Sequence, residues 1–253
     1  YYNMTVSING TTGITTPTYG GSVSAEYIIP VTGFKNRIIN GGFGVNQRAV
    51  SGSVVLSAGA FGHDRWKGGA SGCSYTFATS ENVTTLTISA GSLIQVVEGI
   101  NLQSGTHTLS WTGTATAKIG GGSLSATGVT GTATGGTNLN IEISTGTVSL
   151  IQLEVGDTAT SFDYRPYGTE LALCQRYYQV GYQRTRVDPF PAGALGASSY
   201  FSVDMRAQPT MTGAAVLGVL TSSSATGVGS AFFNFTSGAS GNIANTFTAS
   251  AEL

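Results

Sequence analysis

The feature that most constrains this chain is a set of short runs in which apolar and hydroxyl-bearing residues alternate. Such runs lie at residues 74–77, 85–89, 107–112 and 139–143, and Gly-rich turns separate several of them. Alternation with a period of two gives a strand one apolar face and one polar face. Eight or so strands of this kind predict an all-β sandwich of two sheets, and their spacing favours a jelly roll.

Composition supports this fold class and excludes several functions. Charged residues make up 9% of the 253, against roughly 25% in an ordinary domain, while 37 glycines supply tight turns. A hydrophobic content of 40% is enough for a core, so the chain is not disordered. The net charge of −1 leaves no basic patch for nucleic acid, and no apolar run is long enough for membrane insertion. Cys73 and Cys174 are too few for a disulfide framework, so we expect two free thiols.

The segment 151–178 is unusually dense in side-chain chemistry. Apolar residues alternate at 151–155 and, after a turn at Gly156-Asp157, again at Phe162 and Tyr164, which predicts a pair of strands ended by Pro166. Residues 167–180 then predict the one credible helix, with Thr169 as its cap and Glu170 near its positive end. On that helix Leu171, Cys174 and Tyr178 would share a side.

This segment, IQLEVGDTATSFDYRPYGTELALCQRYY, resembles one in bacteriophage tail fibre and receptor-binding proteins. There a jelly-roll, carbohydrate-binding-like module ends in a similar strand pair followed by a similar helix. The block NRIINGGFGVNQR at 36–48, with Asp64-Arg65-Trp66 downstream, resembles the opening of the same module. The resemblance implies a homotrimeric fibre protein whose particle-attaching region lies upstream of Tyr1.

Three segments follow from pattern and resemblance together. Residues 1–35 are expected to form a β-rich neck that three copies share, with a flexible linker as the alternative. Residues 36–166 would form the jelly-roll domain, and residues 167–253 the short helix and a small β-rich C-terminal domain. In that last part, residues 201–205 alternate and Phe232, Phe233 and Phe235 cluster, which predicts strands. Because this part is small for an autonomous domain, neighbouring subunits are expected to complete it. An independent small sandwich is the alternative.

Catalytic and metal-binding patterns are missing from the sequence. It has no nucleophile elbow, phosphate loop or dinucleotide-binding glycine motif, and its histidines, His63 and His107, lack a third ligand at metal spacing. His107 is expected to be a hydrogen-bonded core or edge histidine and not a ligand. The acids that could form a glycosidase pair are scattered along the chain: Glu98, Glu142, Glu154, Asp157 and Asp163. Of these, Glu154 and Asp163 are expected to hold the edge of the sandwich by hydrogen bonds. We therefore expect no enzyme, cofactor or metal, with a structural calcium left open.

Sugar binding requires an exposed aromatic ring beside polar groups. Trp66 and Trp111 are expected in the core, because large aromatic side chains dominate cores. The prolines at 189 and 191 favour a loop, and loops on rigid scaffolds often carry function. The preferred glycan-binding residues combine aromatic rings and charges near that loop: Tyr182, Arg184, Arg186, Asp188, Phe190 and Tyr200. A solvated turn or a trimer salt bridge is the alternative.

Several residues of the 151–178 segment favour a structural role. Arg176 would tie the helix to Glu170 or to a neighbouring subunit, because charges this scarce are usually paired. Tyr177 and Tyr178 would pack at the threefold interface.

The function implied by the resemblance is attachment of a virion to its host by glycan binding without chemistry. The expected partners are host surface polysaccharide or lipopolysaccharide, two further copies of the chain, and other tail or baseplate proteins. Such a protein is assembled in the host cytoplasm and resides in the phage tail. A polysaccharide-degrading fibre and a purely structural tail connector are the alternatives.

Overall fold

The computed structural model describes residues 7–9, 13–15, 34–187, 193–237 and 241–253. The chain separates into two compact units, residues 1–33 and 34–253. In the first unit β1 (Ser7–Asn9) pairs antiparallel with β2 (Gly13–Thr15). The remainder of the expected neck up to residue 33 lies outside the described residues.

The second unit is mostly β, as predicted, and its strands pair antiparallel. Its larger sheet has the order β3-β4-β5-β10-β6-β8, with β9 pairing to both β5 and β7. The bounds of these strands are β3 (Val54–Leu56), β4 (Lys67–Ser80), β5 (Val83–Val97), β6 (Gly105–Thr112), β7 (Ala117–Ile119), β8 (Val129–Ala133), β9 (Leu139–Ile143) and β10 (Gly146–Val155).

Strand β5 changes partners along its length, and residues of both partner strands, β9 and β10, contribute to one core. Its first half pairs with β10 at Leu86–Ile88, and its second half pairs with β9 from Leu93 onward. Between these halves Gly91 adopts a φ of +71°, and a Cβ there would lie 2.1 Å from the carbonyl oxygen of Gly72. Only glycine allows β4 and β5 to approach this closely.

Most of the apolar residues of the alternating runs are buried, as the sequence predicted. Tyr75, Leu86, Ile88, Leu109 and Ile141 are all buried in one apolar cluster. Trp66 is fully buried there, and Trp111 packs against the cluster from its margin. The assignment of Trp66 to the core is confirmed, and Trp111 is partly buried at the margin of the core. His107 is fully buried.

The block 36–48 forms no strand but runs beside β10. The backbone N–H of Arg37 donates to the carbonyl of Leu153 at 2.7 Å, and the N–H of Ile151 donates to Gly41 at 2.9 Å. Asn36 strengthens this contact, because its side chain donates to Ile151 and accepts from Leu153, each at 3.0 Å. The two blocks that carry the family resemblance are therefore joined side by side.

Helix α1 (Tyr167–Gln175) is shorter than predicted and starts differently. Thr169 is not the cap: Pro166 occupies that position, and its carbonyl accepts the N–H groups of Thr169 and Glu170 at 2.9 and 3.1 Å. Glu170 lies in the first turn, as predicted. Leu171 and Cys174 pack against Ile39 and Val45, which holds the helix on the block 36–48.

Two further sheets follow the helix. The first has the order β11-β16-β13 and the second β12-β15-β14. A separate apolar cluster, including Phe233, Phe235, Ile243 and Phe247, lies inside them. Their bounds are β11 (Tyr178–Val187), β12 (Gly193–Tyr200), β13 (Thr210–Leu217), β14 (Val219–Ala225), β15 (Ser230–Ser237) and β16 (Gly241–Ser250).

Buried charges connect this C-terminal part to the larger sheet. Glu98 accepts hydrogen bonds from Tyr177 Oη at 2.8 Å and from Arg206 Nε at 2.7 Å, and Arg176 lies 3.4 Å away. The predicted tie between Arg176 and Glu170 is therefore wrong. Because Glu98 follows β5, its carboxylate fixes the chain after α1 to the larger sheet.

A second cluster ties down the other end of the chain. Glu252 accepts a hydrogen bond from Arg65 and pairs with Arg48 at 3.2 Å. The guanidinium groups of Arg65 and Arg48 lie over the rings of Tyr177 and Tyr178, 3.5 and 3.7 Å from the ring centroids. Tyr177 is 1% exposed within a single chain, so its predicted place at a threefold interface is wrong.

Two predicted strands are absent from the described residues. Residues 162–164 and 201–205 both alternate in sequence, yet neither segment forms a strand. The N–H groups of Phe201 and Met205 donate to the carbonyls of Gly229 and Val228, each at 2.9 Å. The side chain of Gln179 accepts from Ser202 N at 3.0 Å and donates to the carbonyl of Val203 at 2.6 Å. Met205 is buried against Ala249 and Ala251, so its apolar side chain anchors an irregular segment.

Candidate functional site

An open cleft of about 730 Å³ lies where three distant segments meet. Its lining comes from residues 40–45, from the β4–β5 hairpin at 79–84, from residues 162–170, and from Leu150. The first and third of these belong to the segments 36–48 and 151–178. Pockets of this size, with a few polar groups around an apolar wall, are typical of ligand sites.

Aromatic rings form one wall of the cleft. Phe162 and Tyr164 pack edge to face with their centroids 4.9 Å apart, at an angle of 81°. Tyr164 and Tyr167 are 66% and 63% exposed. Exposed rings on a concave surface can stack on the apolar face of a pyranose.

Tyr164 is held outward because both of its neighbours are anchored. The N–H of Asp163 donates to Gln152 Oε1 at 2.8 Å, and Arg165 Nη1 donates to the carbonyl of Ile38 at 3.0 Å. Glu154 fixes the preceding turn by accepting from Thr160 N at 2.9 Å. Asp163 also accepts from the backbone of Asn36 at 3.3 Å. The predicted structural roles of Glu154 and Asp163 are confirmed.

The hairpin tip supplies polar groups to the opposite wall. Ser80 pairs with Val83, so Glu81 and Asn82 form a two-residue loop with φ angles of 48° and 63°. Asn tolerates this left-handed region, but a side chain such as that of Glu81 is disfavoured there by roughly 1–2 kcal/mol. Behind the tip, the hydroxyl groups of Thr79 and Thr84 are 2.9 Å apart.

Arg165, the positively charged residue of the described cleft lining, already has partners within the chain. Arg165 Nη1 lies 3.1 and 3.2 Å from the two carboxylate oxygens of Glu170, and Nη2 donates to the carbonyl of Asn36. Glu170 also accepts from the N–H of Asn40 at 2.6 Å. The Arg165 side chain is only 2% exposed. Arg165 and Glu170 therefore hold the cleft together and are not free to bind a ligand.

The predicted glycan-binding residues that the structure describes do not line the cleft and lie in the C-terminal strands. Tyr182 and Arg184 are exposed on one face of β11, and Tyr200, 85% exposed, ends β12 in the other sheet. Asp188, Phe190 and the side chain of Arg186 lie outside the described residues. Binding at these positions stays a prediction.

The cleft was missed by sequence reasoning for an identifiable reason. Phe162 and Tyr164 alternate like residues of a buried strand, so they were assigned to the sheet. The signal that could have identified them is the density of aromatic and charged residues at 162–170 beside Pro166 and Gly168, which favours an irregular exposed segment.

Within the described ranges, no group of His, Cys, Asp and Glu is arranged to hold a metal ion. Burial lowers the pKa of His63 to about 4, so its ring is neutral at physiological pH. Its Nδ1 lies 3.0 Å from Tyr75 Oη, inside an aromatic cluster with Phe43 and Phe77. His63 is a core residue.

The remaining carboxylates considered as catalytic candidates are dispersed. Glu142 pairs with Lys118 at 3.1 Å and accepts from Ser92 at 2.7 Å. Glu98 lies in the buried charge cluster described above, and Asp157 is exposed on a turn where it accepts from Thr158.

No family model, curated protein or solved structure matches the chain. In the part of the chain that the structure describes, none of the helices is long and apolar enough to cross a membrane.

Proposed function

We propose that this protein is a receptor-binding protein of a bacteriophage tail fibre, which binds host surface glycan without modifying it. The observation that carries the proposal is the cleft between the β4–β5 hairpin and residues 162–170, where Tyr164 and Tyr167 stand exposed beside polar groups. The two sequence blocks that resemble phage fibre proteins converge on this cleft. The partners are host polysaccharide or lipopolysaccharide and other tail or baseplate proteins, and the location is the virion.

The chemistry of the cleft favours binding over hydrolysis. A glycosidase needs two available carboxyl groups, roughly 5–9.5 Å apart, one of them able to donate a proton. Glu170 is held by Arg165 and by the N–H of Asn40, which leaves Glu81 as the acid of the lining that has no partner among the described residues. A polysaccharide-degrading activity is therefore the weaker alternative.

The fold and assembly form part of the same proposal. We propose that residues 36–166 form a jelly-roll-type sandwich, supported by β5 pairing with two different sets of neighbours around one core. We also propose that three copies assemble. Large apolar side chains remain exposed on the C-terminal strands, including Val180, Tyr182, Tyr200 and Val219. Trimerisation would raise the avidity of weak single sites by about 10²–10⁴.

The test measures binding of the purified chain to host cells, with competition by polysaccharide extracted from them. Tyr164→Ala and Tyr167→Ala should each weaken binding about fivefold, because one sugar–aromatic contact contributes about 1 kcal/mol. Tyr182→Ala and Tyr200→Ala, made in parallel, decide whether the C-terminal residues also bind.

Each outcome of this test has a separate meaning. Loss of binding only with the Tyr182 and Tyr200 variants would move the site to the C-terminal sheets. Absence of binding by the wild-type chain would favour a structural connector. Release of reducing ends from the polysaccharide would establish the degrading alternative.

A further inference from the structure

The charges around the cleft point to the class of sugar that it selects. We infer, on the basis of the proposed function, that the cleft accepts uncharged or amine-bearing glycans and discriminates against anionic ones, with Glu81 as the specificity-determining residue. Some charged groups of the lining are engaged by other residues of the chain, and others are open to a ligand.

No cation among the described lining residues is available to an acidic sugar. Arg165 is the one positive side chain of the lining, and it is buried and engaged by Glu170 and by the carbonyls of Ile38 and Asn36. The first turn of α1 also faces this region, but Glu170 already compensates its positive end. A uronic or sialic acid carboxylate would therefore enter without a counter-charge.

Glu81 adds a negative charge at the rim. It is exposed at the tip of the β4–β5 hairpin, and no hydrogen bond or ion pair engages its carboxylate among the described residues. Its φ of 48° is unfavourable for a residue of this type, where glycine, asparagine or aspartate is usual. A side chain kept in a disfavoured backbone conformation at the mouth of a cleft suggests a role for its carboxylate.

The expected selectivity follows from one exposed charge. The carboxylate of Glu81 would attract a protonated amino sugar and repel an anionic sugar. It would leave the affinity of an uncharged sugar unchanged. Exposed charge pairs change affinity by about two- to fivefold at low salt, and the effect declines as salt screens it.

The experiment applies the full chain to a glycan array that carries uncharged, amine-bearing and carboxylate-bearing oligosaccharides. The variants are Glu81→Gln and Glu81→Lys. Asp157→Lys is the matched control, because it makes the same change in charge at an exposed turn that does not line the cleft. Tyr164→Ala reports whether retention depends on the cleft.

The wild type should be retained on uncharged or amine-bearing members and little on acidic ones. Glu81→Gln should lower retention on amine-bearing members about two- to fivefold, and Glu81→Lys should raise retention on acidic members, whereas Asp157→Lys should change neither.

Two different failures can be told apart. Strong wild-type retention on acidic members that is lost in Tyr164→Ala would overturn the selectivity and leave glycan binding in place. Retention on no member, or retention that Tyr164→Ala does not change, would overturn the use of this cleft and with it the inference.

Discussion

Gly41 lies where the block 36–48 passes β10, and it has no room for a side chain. A Cβ at this position would lie 2.1 Å from the carbonyl oxygen of Ile151. The neighbouring Asn40 has a φ of 57°, and its side chain bonds to Val45 at 2.8 and 2.9 Å, which closes the turn. The contact between the block 36–48 and β10 thus depends on a glycine that leaves room for the Ile151 carbonyl and on an asparagine in the left-handed region.

Gly41→Ala is expected to lower the free energy of unfolding by about 2–3 kcal/mol, because backbone atoms must move apart. Gly44→Ala is the control, since it is exposed with nothing within 4 Å of its Cβ position, and it should change stability by less than about 0.5 kcal/mol. Urea unfolding of both variants checks the difference. Equal stability of the two would contradict the close approach.

Both thiols are buried and unpaired, as predicted from the cysteine count. Burial raises the pKa of Cys73 to about 11 and raises that of Cys174 well above its usual value. Because the thiolate is the reactive form, neither should react with a thiol reagent in the native protein at pH 8. Two thiols per chain should react after denaturation; rapid labelling of the native protein would contradict this.

At the scale of elements, the segment 157–170 shows why an alternating sequence alone does not identify a strand. Phe162 and Tyr164 have the spacing of a strand, but the side chains of Gln152 and Glu154 already bond the backbone groups that pairing with a neighbouring strand would need. The segment becomes an anchored irregular loop that displays aromatic rings. The helix that follows was predicted correctly in type, and its residues pack on Ile39 and Val45. Its first residue is determined by Pro166, which the prediction did not use.

Glu98 provides a test of how β11 and α1 are fixed to the larger sheet. Burial alone would raise the pKa of Glu98, but hydrogen bonds from Arg206 and Tyr177 and the charges of Arg176 and Arg206 lower it below its usual 4.5. Its stabilising effect is therefore complete above pH 4.5 and is lost as the pH falls through the lowered folded-state pKa.

Glu98→Gln is expected to destabilise the protein by about 1–3 kcal/mol at neutral pH and to flatten the loss of stability in acid. Glu142→Gln is the control, because its pair with Lys118 is partly exposed and contributes little. The unfolding midpoints of the wild type and of both variants, measured from neutral pH to pH 3, check this prediction. An unchanged acid profile in Glu98→Gln would show that another group governs it.

At the scale of the whole molecule, the C-terminal strands retain apolar surface that one chain does not cover. Val180 and Tyr182 are 50% and 55% exposed on β11. If three copies cover this face, sedimentation of the wild type should give three times 25.8 kDa. Val180→Lys should shift the mass toward the single chain, while Val55→Lys, on the exposed side of β3, should not. A wild-type mass of 25.8 kDa would contradict trimer formation.

The sequence by itself determined the fold class and most of the core, because period two records which side of a strand is buried. Leu86, Ile88 and Ile141 are buried for that reason. Only the tertiary structure decided the cleft, since its walls come from residues 40–45, 79–84 and 162–170 and meet through contacts between distant positions. Whether Tyr164 is a core ring or an exposed one depends on Gln152 and Ile38, which local periodicity does not encode.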